Sequence, residues 1–201
     1  PKEKQKGSQM NSKKTEKQPL TDKKIAETLY DYIEGFVISI CLVFLVFTFL
    51  FRVSVVSGSS MEKTLSHKDV LLVSSLPYTP EQGDIVVFRA PYSKSYPDEH
   101  LVKRVIATGG QTIDIDFENW KVTVDGKVID ESEYLFLYGF RQTSNLSYPL
   151  TVPEGEVFVM GDNRYNSHDS RVSDIGTVDE DYIIGPVLMR LMPFGKIGFV
   201  N

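Results

Sequence analysis

Apolar and polar positions divide the chain into three stretches. Pro1 to Pro19 is built mainly from Lys, Gln, Ser and Glu with almost no apolar residue. It has too little surface to bury to offset the entropy of ordering and is expected to be a disordered tail. The pattern inverts near Ile33, and Gly35 to Phe51 reads GFVISICLVFLVFTFLF without one charge. A hydrocarbon core of about 30 Å needs a helix of roughly 20 residues, and Tyr30, Tyr32 and Ile33 extend this run into the interface. A buried core helix or a cleaved leader would share the pattern. Arg52 and a Val-rich stretch follow in place of a small-residue cleavage site, which favours a retained membrane helix. Beyond it come short apolar runs of the length and residue type of strands: Val53 to Val56, Val70 to Val73, Ile85 to Phe88, Leu101 to Ile106, Thr112 to Asp116, Lys121 to Ile129, Glu156 to Met160 and Tyr182 to Leu191. Within them, Asp125-Gly126 supplies the positive φ values of a type I′ hairpin turn. The predicted layout is a tail and juxtamembrane segment over 1–32, a membrane helix over 33–52, and a mainly β domain over 53–201, closed or partly closed.

Charge adds a direction. Lysines 2, 4, 6, 13, 14, 17, 23 and 24 all precede the helix, and the Lys/Arg bias of cytoplasmic segments places the amino terminus inside the cell and the β domain outside it. The chain does not open on Met, which leaves Met10 as a candidate initiator. A net charge of −5 argues against a dedicated nucleic-acid binder, which needs a concentrated basic face. His67, His100 and His168 lie far apart and Cys41 is the single cysteine, so no zinc spacing is present and neither metal nor cofactor is expected. Cys41, inside the apolar run, reads as a small hydrophobe.

A Ser-His-Asp hydrolase would need a placed histidine, and no GxSxG elbow occurs for His100 or His168 to serve. A serine can instead be activated by a lysine held neutral through burial. Lys103 and Arg104 lie in the apolar run His100 to Ile106. Alternation puts them on opposite faces without choosing between them, but a guanidinium cannot be deprotonated and so cannot act as a base. Both also read as paired structural cations. The Ser57-Gly58-Ser59-Ser60 stretch after the helix is either a flexible linker or a loop whose amides can face an oxyanion. Met160 to Arg171 is dense in hydroxyls, carboxylates and guanidinia, suited to a buried polar network or to a solvent-facing turn.

Taken in order, Ser60-Met-x-x-Thr-Leu65, Gly83-Asp-Ile-Val-Val-Phe88, Lys103-Arg-Val-Ile106 and Gly161-Asp-Asn-Arg-x-Asn-Ser-x-Asp-Ser-Arg171 resemble the successive boxes of bacterial type I signal peptidases, in their single-anchor, Gram-positive form. The resemblance runs from the membrane helix to the Pro193 to Phe199 segment. It implies a signal-peptidase-like β domain and a membrane-bound serine endopeptidase that cleaves exported preproteins after small residues, close to the bilayer and to the secretion machinery. Ser60 then matches the nucleophile and Lys103 the general base. Ser167 and Asp169 match residues that support the lysine and the site geometry. Asp162, Arg164 and Arg171 match a structural ion network, with Asn163 and Arg104 as further supports. The oxyanion falls to the Ser60 N–H, with Gly58 where some members carry a serine. Val56, Met61, Leu65, Leu71, Val87 and Val102 match positions that line substrate pockets. One position departs: the family usually has Pro where this chain has Lys63, which is expected to loosen the nucleophile loop. A catalytically idle, signal-peptidase-like assembly factor is the alternative, and the Ser-Lys self-cleaving repressors are a related but soluble, DNA-reading group.

Overall fold

The computed structural model describes residues 19–97, 99–139 and 143–200; Pro1 to Gln18, most of the expected tail, lies outside them. Helix α1 runs Pro19–Leu50, starting earlier than the predicted 33–52 and stopping two residues sooner. Pro19 suits a first helical turn, where its missing N–H costs nothing, and the Lys, Ala, Glu and Leu residues that follow are good helix formers. The helix is long and apolar enough to cross a membrane. It stops at Leu50 because Phe51 already pairs with Ser74 as a strand residue.

The strands are β1 (Phe51–Val55), β2 (Val70–Ser74), β3 (Ile85–Arg89), β4 (His100–Thr108), β5 (Thr112–Asp116), β6 (Lys121–Val124), β7 (Lys127–Val128), β8 (Leu150–Thr151), β9 (Glu156–Met160), β10 (Val178–Asp179), β11 (Ile183–Met192) and β12 (Gly198–Phe199). One antiparallel sheet has the order β1-β2-β11-β3-β4-β9-β10, with β12 added beside β11; a smaller one has the order β7-β6-β5-β8. The β6–β7 turn carries φ values of 51° at Asp125 and 75° at Gly126, both positive as a type I′ turn requires. The two-residue strands β8, β10 and β12 are too short to leave a periodic signal.

The larger sheet curls, so that Leu71 on β2, Val87 on β3 and Val102 on β4 share one apolar cluster with Val56, Met61 and Leu65. Leu101 and Val105 of β4 belong to a second cluster with Val157 and Val159 of β9, while Ile106 joins a third with the smaller sheet. Strand β4 therefore touches all three cores, and Leu101 to Ala107 is buried throughout. Any ionisable group placed there is taken out of water, which is the condition a lysine base requires.

Candidate active site

The Ser60 loop, the expected nucleophile loop, leaves β1 as a continuation of its ladder: Val56 N donates to Asp69 O at 2.9 Å and Lys68 N to Val56 O at 2.9 Å. Gly58, at φ +94°, then turns the chain. Met61 and Leu65, 1% and 0% exposed, anchor the following turn in the core, which is closed by Thr64 N and Leu65 N donating to Met61 O at 3.0 and 2.7 Å. Ser60 is thus held between a glycine bend and a buried apolar peg.

Lys103 reaches this loop from β4. It is 3% exposed, and its Nζ donates to Ser60 Oγ at 3.0 Å and to Val102 O at 3.1 Å. Among the described residues it forms no ion pair. Burial lowers its pKa to about 8, against the pull of the Asp169 and Asp162 charges and with the Arg171 charge on burial's side. The neighbouring Arg104 is the paired cation: its Nε and Nη2 donate to Asp162 at 2.9 Å each, Nη1 donates to Gly83 O at 2.8 Å, and the guanidinium lies 4.0 Å over the Tyr134 ring.

The Gly161 to Arg171 loop is mostly buried, with Asp162, Asn163, Arg164 and Ser170 at 0% exposure and Asn166 exposed, so the solvent-facing alternative does not hold for the segment's charged residues. Asp162 also accepts from Thr64 Oγ1 at 2.5 Å, tying the nucleophile loop to the residue beside Lys103. Asn163 N donates to Ser60 O at 3.0 Å, and its side-chain amide donates to Ser59 O at 3.3 Å. Asp169 accepts from Gly161 N at 3.0 Å and from Arg171 at 2.7 and 2.8 Å. Burial works to raise the Asp169 pKa, but the Arg171 charge and these hydrogen bonds hold it below the usual value. Arg164 pairs with the buried Glu131 through both terminal nitrogens and donates to Gly161 O at 3.0 Å.

Some expected contacts take another form. Ser167 Oγ is buried without a hydrogen-bond partner among the described residues and does not bond Lys103. It packs against Gly161, where an added Cβ would lie 2.2 Å from Ser167 Oγ and 2.4 Å from Ser60 O; glycine is required there by close approach. Gly58 N donates to His67 Nδ1 at 3.2 Å. Of the expected pocket residues, Val56, Met61 and Val102 line the cleft of about 360 Å³ at Ser60 and Lys103. Leu65, Leu71 and Val87 do not line it and pack in the core behind. Tyr96, His100, Asn166 and His168 line the same cleft and were not among the expected site residues. Asn166 donates to Ser59 Oγ at 2.6 Å, while Tyr96 arrives from a connecting segment whose partners lie over 70 residues away, which no local pattern reveals.

Residues 29–192 match the model of the signal peptidase family, peptidase S26. The chain belongs to this family. Signal peptidase I P of Bacillus subtilis subsp. natto is 35% identical over 184 residues, 88% of this chain and 96% of that one. Signal peptidase I T of Bacillus subtilis is 33% identical, covering 94% and 98% of the two chains. A solved signal peptidase I from Enterococcus faecalis is 26% identical with a TM-score of 0.43, covering 55% of this chain and 98% of that one. Within this S26 peptidase, the Lys63 departure has a backbone reason. Its φ is +68°, a value that the proline ring, fixed near −65°, cannot adopt, and Lys63 Nζ donates to Ser132 O at 2.9 Å. The loop here is a turn that proline at position 63 could not complete.

Two stability measurements follow in detergent-solubilised protein. Lys63→Pro is expected to cost more than about 1 kcal/mol in denaturant unfolding, whereas Lys63→Gly relieves the left-handed strain and costs nothing; a proline variant as stable as the parent would contradict the +68° turn. For Lys103, the difference between about 8 and 10.5 corresponds to about 3 kcal/mol. The unfolded chain keeps its proton between those pH values while the folded one gives it up, so folded stability rises with pH across that window. Lys103→Met should be the more stable protein below about pH 8, and its advantage should shrink as pH approaches 10.5.

Proposed function

We propose that this S26 peptidase removes amino-terminal signal peptides from exported precursors through a Ser60-Lys103 dyad, cleaving after small residues. The observation that carries the reading is the 3.0 Å contact between Lys103 Nζ and Ser60 Oγ, made by a lysine with its pKa brought down to about 8. Once the amine is neutral the same contact reverses, and the hydroxyl donates its proton to Nζ as Oγ attacks the substrate carbonyl carbon. The tetrahedral oxyanion accepts a hydrogen bond from the Ser60 N–H, a donor of the kind that is most effective in a water-poor site. Collapse breaks the C–N bond, and the Lys103 ammonium returns its proton to the leaving amine. A water then loses a proton to Lys103 and attacks the acyl ester, and as the C–Oγ bond breaks Lys103 returns that proton to Ser60 Oγ, which frees the serine hydroxyl and the carboxyl product. The idle assembly-factor alternative is disfavoured because both dyad residues are kept.

Binding follows from sheet edges. Among the described residues β1 pairs with β2 alone, and β4 pairs with β9 only from Arg104 onward, so the outer edge of β1 and the His100 to Lys103 edge of β4 lack a neighbouring strand beside the cleft, with Val102 O on that edge accepting from Lys103 Nζ. An extended precursor adds a strand there, with the side chains beside the bond meeting Val56, Met61 and Val102 in the cleft wall, apolar neighbours suited to small residues. The helix anchors the enzyme in the bilayer with the Lys-rich terminus cytoplasmic, which puts the cleft on the side where exported precursors emerge from the secretion machinery.

Ser60→Ala and Lys103→Ala are each expected to lower precursor cleavage by ~10⁴-fold or more, with no further loss in the double variant. Lys103→Arg should fail as well. In the parent the rate should climb as pH rises through about 8 and level off above it, since the neutral amine is the active form; mass spectrometry of the released amino terminus against pH reads this directly, and an acid limb near about 6.5 would point to histidine instead. For the topology, external protease on intact protoplasts should digest the chain after Arg52, and protection of that part would overturn the orientation.

A further inference from the structure

Arg52 on β1, Arg89 on β3 and His100 on β4 meet in a second cleft of about 320 Å³. Among the described residues neither guanidinium has an ion pair. Asp181 stands in the same wall and forms no ion pair with either arginine among the described residues; its N–H donates to Asp179 Oδ1 at 2.8 Å. Two unneutralised guanidinia beside an imidazole, in a chain of net charge −5, form a site suited to a carboxylate, which arginine receives in a fork geometry.

The position of this cluster is what gives it a use. Arg89 and His100 are cross-strand partners. Alternation along β4 puts His100 on the side of Val102, and alternation along β1 puts Arg52 on the side of Val56. Val56 and Val102 share a core cluster and line the cleft at Ser60, and His100 lines both clefts. The two therefore form one groove, with Arg52 about 13 Å beyond Val56 at ~3.3 Å per residue. Arg52 also follows the end of the apolar helix, Leu50, by two residues, which places it on the side from which the membrane-embedded part of a precursor enters.

We propose that Arg52, Arg89 and His100 form a subsite for an acidic side chain of the signal peptide, about four residues further from the scissile bond than the residue that meets Val56. The inference rests on the reading of Ser60 as the cleavage site. It predicts that precursors are sorted by the charge of that upstream residue as well as by the small residues beside the bond.

The test uses the full chain in detergent with Ser60→Ala, and labelled precursor peptides carrying Glu, Gln or Lys at each position from four to eight before the bond. Anisotropy should show Glu peptides binding roughly 10-fold tighter than Lys peptides at one or two neighbouring positions, with Gln between. Arg52→Glu with Arg89→Glu should invert that order, and added salt should narrow it. Arg52→Gln with Arg89→Gln, which keeps the side chains polar, should flatten it. Equal affinities at every position, or an order that survives charge reversal, would overturn the subsite. Phosphatidylglycerol and phosphatidylcholine vesicles provide the other arm: charge reversal that abolishes binding to the anionic vesicles while leaving peptide preference unchanged assigns the arginines to the bilayer surface and overturns the peptide subsite. Cleavage by the parent chain is measured separately, so a failure of the Ser60 reading shows as absent turnover and a failure of the subsite as absent charge preference.

Discussion

The carboxylate of Asp162 holds the site together. Fully buried, it accepts both Arg104 nitrogens from β4 and the Thr64 hydroxyl from the nucleophile loop, while the next residue, Asn163, donates to the Ser60 carbonyl. Two segments far apart in sequence are thereby fixed against a third, and the distance they set is the one between Lys103 Nζ and Ser60 Oγ. A buried carboxylate that lost Arg104 would be left uncompensated, at a cost of about 3 to 5 kcal/mol. The arrangement is therefore stiff, and for the proposed proton transfer between Ser60 and Lys103 across 3.0 Å stiffness is the relevant property.

Lys103 imposes the opposite cost. Its burial at the junction of three apolar clusters lowers its proton affinity, and the protonated form is destabilising by the same amount. The Met61 and Leu65 pegs and the packed β4 offset this, since each fully buried large apolar side chain contributes about 1.5 to 3 kcal/mol. The position of the lysine beside Arg104 also explains why two adjacent cations coexist in one strand. The pleat sends Arg104 to its carboxylate and Lys103 to a hydroxyl, so one is neutralised as an ion pair and the other by losing its proton.

Much of this was legible in the sequence because it is local. The apolar run, the eight strand-like runs and the Asp-Gly turn each declare themselves within a few residues, and the difference between guanidinium and amine separates Arg104 from Lys103 by chemistry alone. What escaped is non-local or conformational. The +68° φ of Lys63 is set by a turn, whereas the sequence showed only a missing proline. The core position of Leu65, Leu71 and Val87 depends on how far the sheet curls, which alternation does not encode. Ser167, expected to support the lysine and the site geometry, packs against Gly161, a contact that motif spacing cannot resolve. Helix α1 began earlier than hydropathy suggested because helix propensity, unlike membrane compatibility, continues through charged residues.

The network beside the lysine has a charge count that bears on its chemistry. Arg104, Arg164 and Arg171 pair one to one with Asp162, Glu131 and Asp169, so three buried cations meet three buried anions. Lys103 stands just outside this balanced set. Asp169 and Asp162 pull its pKa up, but each is already committed to a guanidinium, and the Arg171 charge pushes the other way. Burial is then the largest influence, and the amine can be neutral near physiological pH. A surplus carboxylate would hold the proton on Lys103, and a surplus arginine would be an unpaired buried charge. Equal numbers, fixed by bidentate geometry, let a strand interior keep an amine that is both desolvated and uncompensated.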